Sequence, residues 1–302
     1  MQYLADRYLQ HLSLEDLVQR TVDVLSNYPV LRKDGKIGLH PIDEDGKHWF
    51  TLFCNIMTEM ELRDAQFPDG FLEDAPVPKP TWPEMPKGAE AMKSMDLTGD
   101  YLFKFGKECH LRPMLEKGKI LIKPASSYDD PSLNKAVQDK ELEVSIFAKP
   151  SETKIHRVNQ ETLETESIIE PIGNITFTLE CPSDYYVFCL ASVYDLRLFD
   201  DFPSDSCLVI RDPKRFVERV FDEFKELTAN WSGCATFVTY YDPLRIAQMP
   251  SSVFFHKHFR YAYQKEYRVV LRPREPIEKL EQFFIEIGSL EEYCDLVCPK
   301  MN

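Results

Sequence analysis

The 302-residue chain is short of the residues that several common kinds of site require. It has only 11 glycines, with no Walker loop, no Gly-x-Gly-x-x-Gly and no Gly-x-Ser-x-Gly. A glycine-rich phosphate cradle and a serine nucleophile elbow are therefore excluded. The eight cysteines, at positions 54, 109, 181, 189, 207, 234, 294 and 298, include no Cys-x-x-Cys pair. That scatter implies reduced thiols in a cytoplasmic protein, not a disulfide framework. Cys294 with Cys298, and His256 with His258, match no zinc-site spacing, so no metal is expected. No run approaches 18 apolar residues, and Met1-Gln-Tyr-Leu-Ala-Asp-Arg contains no apolar core of a signal peptide, so neither a membrane span nor secretion is expected. Positive charge is also scarce, 36 Lys and Arg against 50 Asp and Glu, a net charge of −14. Such a field repels nucleic acid and anionic membrane as a whole. A local basic groove is still compatible with it, as is a basic partner such as a neutralising protein or chaperone.

What is present is an ordinary globular composition, with enough apolar residues for a sizeable core. Residues 9–25 carry Leu14, Leu17, Val18, Thr21, Val22 and Leu25 on one helical face, with Ser13 as N-cap and Glu15 and Asp16 in the first turn. Residues 37–40 and 48–57 read as a hairpin around Asp45-Gly46. Six prolines between residues 67 and 86 describe an extended connector, with Phe71, Trp82 and Met85 available to pack along a surface. The organisation expected is an α+β N-terminal extension (1–66), a Pro-rich connector (67–99) and a main domain (100–302).

Beyond the connector, strands are expected at 101–106, 119–123, 172–180, 186–191, 234–241, 259–271 and 283–287. Helical patterns cover 111–116, stopped by Gly118, then 134–147 and 212–227. In the last, Asp212 caps, Pro213 takes the first position, and Phe216, Val217, Val220 and Phe224 share a face. The strands lack regular crossover helices between them, which favours α+β over a doubly wound sheet.

The segment 259–271 has two unlike faces when read as one strand. Phe259, Tyr261, Tyr263, Tyr267, Val269 and Leu271 share one, interrupted by Lys265; Arg260, Gln264, Glu266, Arg268 and Arg272 share the other with Ala262 and Val270. The second is either a solvated charged face or the floor of a cleft, where Arg268 would hold Glu266 ionised. His256, Lys257 and His258 read as a solvated basic loop before it, and His110 as structural. Asp195, Arg197, Asp200 and Asp201 read as a charged loop.

Four pieces in order, Tyr101-Leu-Phe-Lys-Phe, Leu115-Glu-Lys-Gly-Lys-Ile-Leu with Tyr128-Asp-Asp-Pro131, Phe188-Cys-Leu-Ala-Ser192, and Gln264-Lys-Glu-Tyr-Arg268, resemble a widespread bacterial family of mostly uncharacterised proteins. The same order resembles the ADP-ribosyltransferase fold, particularly DarT-like nucleic-acid modifiers and other toxin-type transferases. The resemblance spans about residues 100–272. It implies a mixed or antiparallel split sheet and NAD as a substrate. Lys104 would hold the NAD phosphates, Ser192 would close the second strand, and Gln264-x-Glu266 would supply the catalytic pair. Tyr101 and Tyr194 would sandwich the nicotinamide, and Arg268 would be a ligand or an ion-pair partner. Tyr128 and Asp130 would border the cleft, although Asp-Asp-Pro is also plain turn chemistry. Glu266 would stabilise the positive charge that develops on the ribose as the nicotinamide leaves, and the acceptor would be nucleic acid or protein. Two other readings stand beside this one: a non-catalytic interaction module on the same fold, and a metal-dependent hydrolase using Asp129, Asp130 and Glu266.

Overall fold

The computed structural model describes residues 2–41, 43–78, 84–150, 153–227, 230–245, 250–277 and 279–299. A short α1 (Gln2–Ala5) precedes α2 (Leu14–Leu25), which starts where the Ser13 hydroxyl accepts the Asp16 amide at 3.0 Å. β1 (Pro29–Leu31) and β2 (Ile37–Leu39) make a small ribbon. The hairpin expected through residue 57 is overturned. Asp43 caps α3 (Glu44–Leu62) by accepting the Gly46 amide at 2.8 Å, and Glu44 and Asp45 sit in its first turn. Trp49, Leu52, Ile56 and Met60 are its buried stripe, so the 3.6-residue period prevails over the Asp-Gly turn signal.

The connector packs down through buried Ala75 and Val77, while Met85 is exposed and Trp82 lies outside the described residues. After α4 (Ala89–Ser94) come β3 (Leu102–Gly106), α5 (Glu108–Lys117) and β4 (Lys119–Pro124), with Gly118 ending α5 at φ 65° as expected. The helix expected at 134–147 is not formed. Asn134 accepts the Ala136 amide with Oδ1 and donates Nδ2 to the Asp201 carbonyl, a side-chain turn that competes with helix. The chain then enters β5 (Glu143–Ala148), with Val144 and Ile146 turned inward. An exposed ribbon of β6 (Ile155–Val158) and β7 (Thr165–Ile169) leads to β8 (Ile175–Glu180), which pairs with β5.

The remaining elements are β9 (Tyr186–Ala191), α6 (Leu198–Asp201), β10 (Ser206–Ile210), α7 (Pro213–Leu227), β11 (Trp231–Phe237), β12 (Thr239–Tyr241), β13 (His256–His258), β14 (Glu266–Pro273), β15 (Phe283–Glu286) and β16 (Cys294–Val297). The main sheet runs β11-β14-β9-β3-β10-β16, antiparallel throughout. It forks at β9. On the side away from β14, β3 pairs with β9 only at Phe103–Ala191, while β4, itself joined to β15, pairs only at Lys123–Val187 and Pro124–Tyr186. One face of the sheet packs on α5 and α7 through Phe188, Leu190, Met114, Phe216 and Val220.

The single strand expected at 259–271 is two elements. Phe259–Gln264 form a 3₁₀ turn, Lys265 takes a left-handed conformation at φ 45°, and only then does β14 begin. Asn27 ties this turn to the end of α2. Its Nδ2 donates to the carbonyls of Phe259 and Arg260 at 3.1 Å, and its Oδ1 accepts the Tyr263 amide at 2.8 Å. The N-terminal helices share a core with Leu244 and Phe259, reinforced by the bidentate Arg20–Asp242 pair at 2.9 and 2.6 Å. Arg197 and Asp201 are buried, not a solvated charged loop. The Arg197 guanidinium lies 3.5 Å over the Tyr263 ring and donates to Asp201, Ser26 and Pro76.

Candidate functional site

Glu266 opens β14 at the fork, where its side chain meets Lys257 of β13 and Arg268 of its own strand. Its Oε1 accepts the Lys257 ammonium at 2.9 Å and its Oε2 accepts Arg268 Nε at 2.9 Å. The guanidinium of Arg268 then grips Glu141 with two nitrogens, each 2.7 Å from a carboxylate oxygen. Asp139 completes the group 3.5 Å from Lys257. Three carboxylates thus face two cations, all on well-buried side chains.

The electrostatics follow from that count. Burial works to raise the Glu266 carboxyl, but Lys257 and Arg268 outweigh it and hold the group at about 2. Burial likewise works to lower Lys257, and Glu266, Glu141 and Asp139 together raise it. Asp139 has no such grip. Burial pushes it up to about 6 against the pull of Lys257, so the proton of the cluster resides there as the pH falls. Each oxygen of Glu266 holds one side-chain donor, which leaves a carboxylate further capacity to accept from a ligand.

Glu266 and Lys257 form part of the wall of a cleft of about 720 Å³ that threads the fork. The β3–α5–β4 segment lines the same cleft with Lys104, Lys107, Lys117, Lys119 and Lys123, and Glu141 and Glu286 border it as well. Among the described residues, none of these five lysines makes an ion pair. Lys104 spans the fork. Its Nζ donates to the Cys189 carbonyl at 2.8 Å and lies 4.6 Å over the Phe188 ring, and burial lowers its affinity for the proton. A chain of net charge −14 therefore gathers unpaired cations in one cavity. Cys189, on the same wall, has its thiol pushed up to about 12 by burial, so it is no nucleophile.

The residues singled out in the sequence divide into two sets. Lys104, Tyr128, Gln264 and Glu266 line the cleft together. Gln264 is 1% exposed; its Nε2 donates to the Ala136 carbonyl at 2.6 Å and to the Tyr263 hydroxyl at 3.2 Å. Among the described residues, nothing reaches its Oε1. Burial raises the Tyr128 phenol, which stays neutral. Arg268 is a fully buried ion-pair partner. Ser192 bonds the Lys265 carbonyl at 2.9 Å and so fixes the start of β14. Tyr194 packs against Phe103, Phe105 and Phe199 and lines a different depression, with its hydroxyl on the Gly88 carbonyl. Tyr101 packs with that same group, so neither tyrosine faces Glu266. Asp130 is exposed, accepts the Ser132 amide at 2.9 Å and serves the turn. Asp129 is likewise exposed and borders a different depression from Glu266, and among the described residues no group of carboxylates gathers as a metal site.

Lys257 corrects the sequence reading most. It is 5% exposed on β13, which pairs in parallel with β12, and is no solvated loop. Glu141 and Asp139 carried no recognisable motif. The lysine cluster did leave a trace, since residues 104–123 hold five lysines and Arg112 against Glu108 and Glu116. Charge counted over the whole chain hid that local excess. No family model matches the chain, and comparison with curated proteins and with solved structures finds no match. Fold and site together define an α+β protein with a forked, antiparallel sheet and a lysine-lined cleft at the fork. Among the described residues no helix is long and apolar enough to cross a membrane.

Proposed function

We propose that the cleft binds NAD and transfers its ADP-ribose, so that the sheet is of the split, ADP-ribosyltransferase type. The observation that carries this reading is an ionised Glu266 in a cavity that five unpaired lysines also line. Lys104 and Lys123, both half-buried in the cleft, are suited to the diphosphate of a dinucleotide. Glu266 accepts from the ribose 2′-hydroxyl and stabilises the positive charge that grows on the sugar ring. The ribose–nicotinamide bond breaks, nicotinamide leaves with the bonding pair, and an acceptor oxygen or nitrogen bonds to the same carbon and gives up a proton. The unpartnered Oε1 of Gln264 is available to orient that acceptor by accepting one of its hydrogens. Water-poor surroundings strengthen each of these contacts.

The test is incubation with labelled NAD and separate pools of protein, RNA and DNA, comparing the wild type with Glu266→Gln. Release of nicotinamide and transfer of label by the wild type are expected, with a loss of about 100-fold or more in the variant. A variant that melts cooperatively yet transfers no label locates the loss in the chemistry. If the wild type neither binds nor cleaves NAD in any pool, the reading falls, and a non-catalytic module is left.

A further inference from the structure

β8 is an edge strand left half covered. Among the described residues it pairs only with β5, so its other edge is open. The register sets Ile175, Phe177 and Leu179 on the same face as Ala148, Ile146 and Val144. Val144 and Ile146 are 3% and 5% exposed, whereas Leu179 and Phe177 directly beside them are 37% and 43% exposed. The apolar face therefore runs past the core and stops at a bare edge. Ile172, just before β8, adds a side chain that is almost wholly exposed.

The other edge strands of comparable length are blunted. β6, β7, β15 and β16 carry Arg157, Glu166, Glu286 and Asp295, and β11 contains Gly233. β8 has no charge, glycine or proline from Ile175 to Leu179. Its sequence, Ile-Thr-Phe-Thr-Leu, instead has the same pattern from either end, a threonine and then an aliphatic residue on each side of Phe177. An antiparallel strand meets its own copy in reverse order, so a palindrome is what self-pairing about a two-fold axis requires.

We infer that β8 is a dimerisation strand, which pairs antiparallel with β8 of a second copy of this chain about a two-fold axis at Phe177. Phe177 then faces its own counterpart, each Thr176 faces a Thr178, and each Ile175 faces a Leu179, all favourable cross-strand pairs. The two hairpins become one sheet, β5-β8-β8-β5, with a continuous apolar face. Charge agrees with this register. The charged groups at the end of the hairpin are Glu180, Glu143 opposite it, and Lys140, which donates to Glu143 at 2.9 Å. The two-fold sends the Glu180 ends apart, each across from Asn174 of the other copy, so no like charges meet on the new edge. A foreign strand has no reason to match the palindrome. One strand pair buries less area than a standard interface, so the dimer is weak and forms with rising concentration. Among the described residues none of β8 lines the fork cleft, and the inference does not rest on the transferase reading.

Sedimentation equilibrium of the full chain, from low micromolar to several hundred micromolar, is expected to show monomer passing to dimer and nothing larger. Phe177→Lys and Phe177→Glu each set like charges opposite one another and weaken the dimer about 10-fold or more. Mixing the two variants restores association, because opposite charges then meet at the two-fold. Thr176→Glu combined with Thr178→Glu, both at exposed positions on the other face, weakens the dimer without touching Phe177. A thermal melt verifies the fold of each variant. A chain that stays monomeric at every concentration overturns the inference. So do a dimer that Phe177→Lys leaves intact, a mixture that associates no better than either variant alone, and assemblies that grow past two copies.

Discussion

The Lys257 ammonium lies 2.9 Å from Oε1 of Glu266, although the two residues belong to different strands separated by a 3₁₀ turn. That contact joins an element tied to the N-terminal helices to the strand that borders the cleft. It also fixes the charge of Glu266, because a buried carboxylate without a cation would take up a proton.

Lys257→Met leaves Asp139, Glu141 and Glu266 facing Arg268 alone. The loss of stability expected at pH 8 is about 3–5 kcal/mol, the usual cost of breaking a buried pair. Urea unfolding measures it. The loss should shrink at pH 5, where Asp139 takes up a proton; a loss below about 1 kcal/mol, equal at both pH values, contradicts the assignment.

Asp139 and Glu266 give opposite pH dependences. Asp139 is raised from 3.8 to about 6, so the folded state holds its proton more firmly and stability falls as the pH rises from 4 to 6. The fall expected from this one group is about 2–3 kcal/mol. Glu266 is lowered from 4.5 to about 2, so its contribution is complete above 4.5 and is lost as the pH drops toward 2. Asp139→Asn should flatten the upper limb and leave the acid limb intact, as read from unfolding midpoints across pH.

Gln264→Met exchanges a buried amide for a side chain of similar length. The lost donor bonds are partly offset by removal of the unpartnered Oε1, so stability should change by about 1 kcal/mol or less. Under the transferase reading, transfer to the acceptor falls about 10-fold while hydrolysis of NAD to free ADP-ribose persists. Chromatography of nicotinamide and of labelled acceptor tells the two apart; equal loss of both disproves the acceptor-orienting role.

Lys104→Ala and Glu266→Gln should separate binding from chemistry. Removing a phosphate-holding ammonium raises KM for NAD about 10-fold with kcat little changed. Glu266→Gln lowers kcat with KM little changed. Steady-state release of nicotinamide checks both, and the reverse pattern would interchange the roles.

Gly118→Ala addresses the fold alone. Gly118 adopts φ 65°, and a Cβ there would sit 2.3 Å from the Gly288 carbonyl oxygen. The left-handed penalty and the clash with a main-chain atom should together cost about 2 kcal/mol or more. A change in Tm within about 1 °C would show that the β4 end of the fork yields easily.

Several parts of this arrangement were legible residue by residue. The cap at Ser13, the stop at Gly118 and the start at Pro213 are local steric and hydrogen-bond facts, and all three hold. The period-2 pattern of Tyr267, Val269 and Leu271 against Glu266, Arg268 and Val270 also holds, because both faces of β14 are packed. The same pattern failed over 259–264, where three hydrogen bonds from Asn27, more than 230 residues away, made a turn of an apparent strand. It failed over 134–147 because the Asn134 side chain competes for the backbone. Tyr101 and Tyr194 were grouped with the cleft by order along the chain, whereas in the fold they pack together away from it.

By itself the sequence determined an α+β chain, the starts of α2 and α7, the stop of α5, and the shared face of Glu266 and Arg268 on β14. Each of these depends on neighbours within a few positions. Tertiary structure alone decided that Lys257, Glu141 and Asp139 meet Glu266, that the sheet forks at β9, and that the lysines of β3, α5 and β4 face one cleft. The reason is physical. Burying a carboxylate requires a cation at about 3 Å, and the chain supplies it from wherever the fold, not the order of residues, brings an ammonium group within reach.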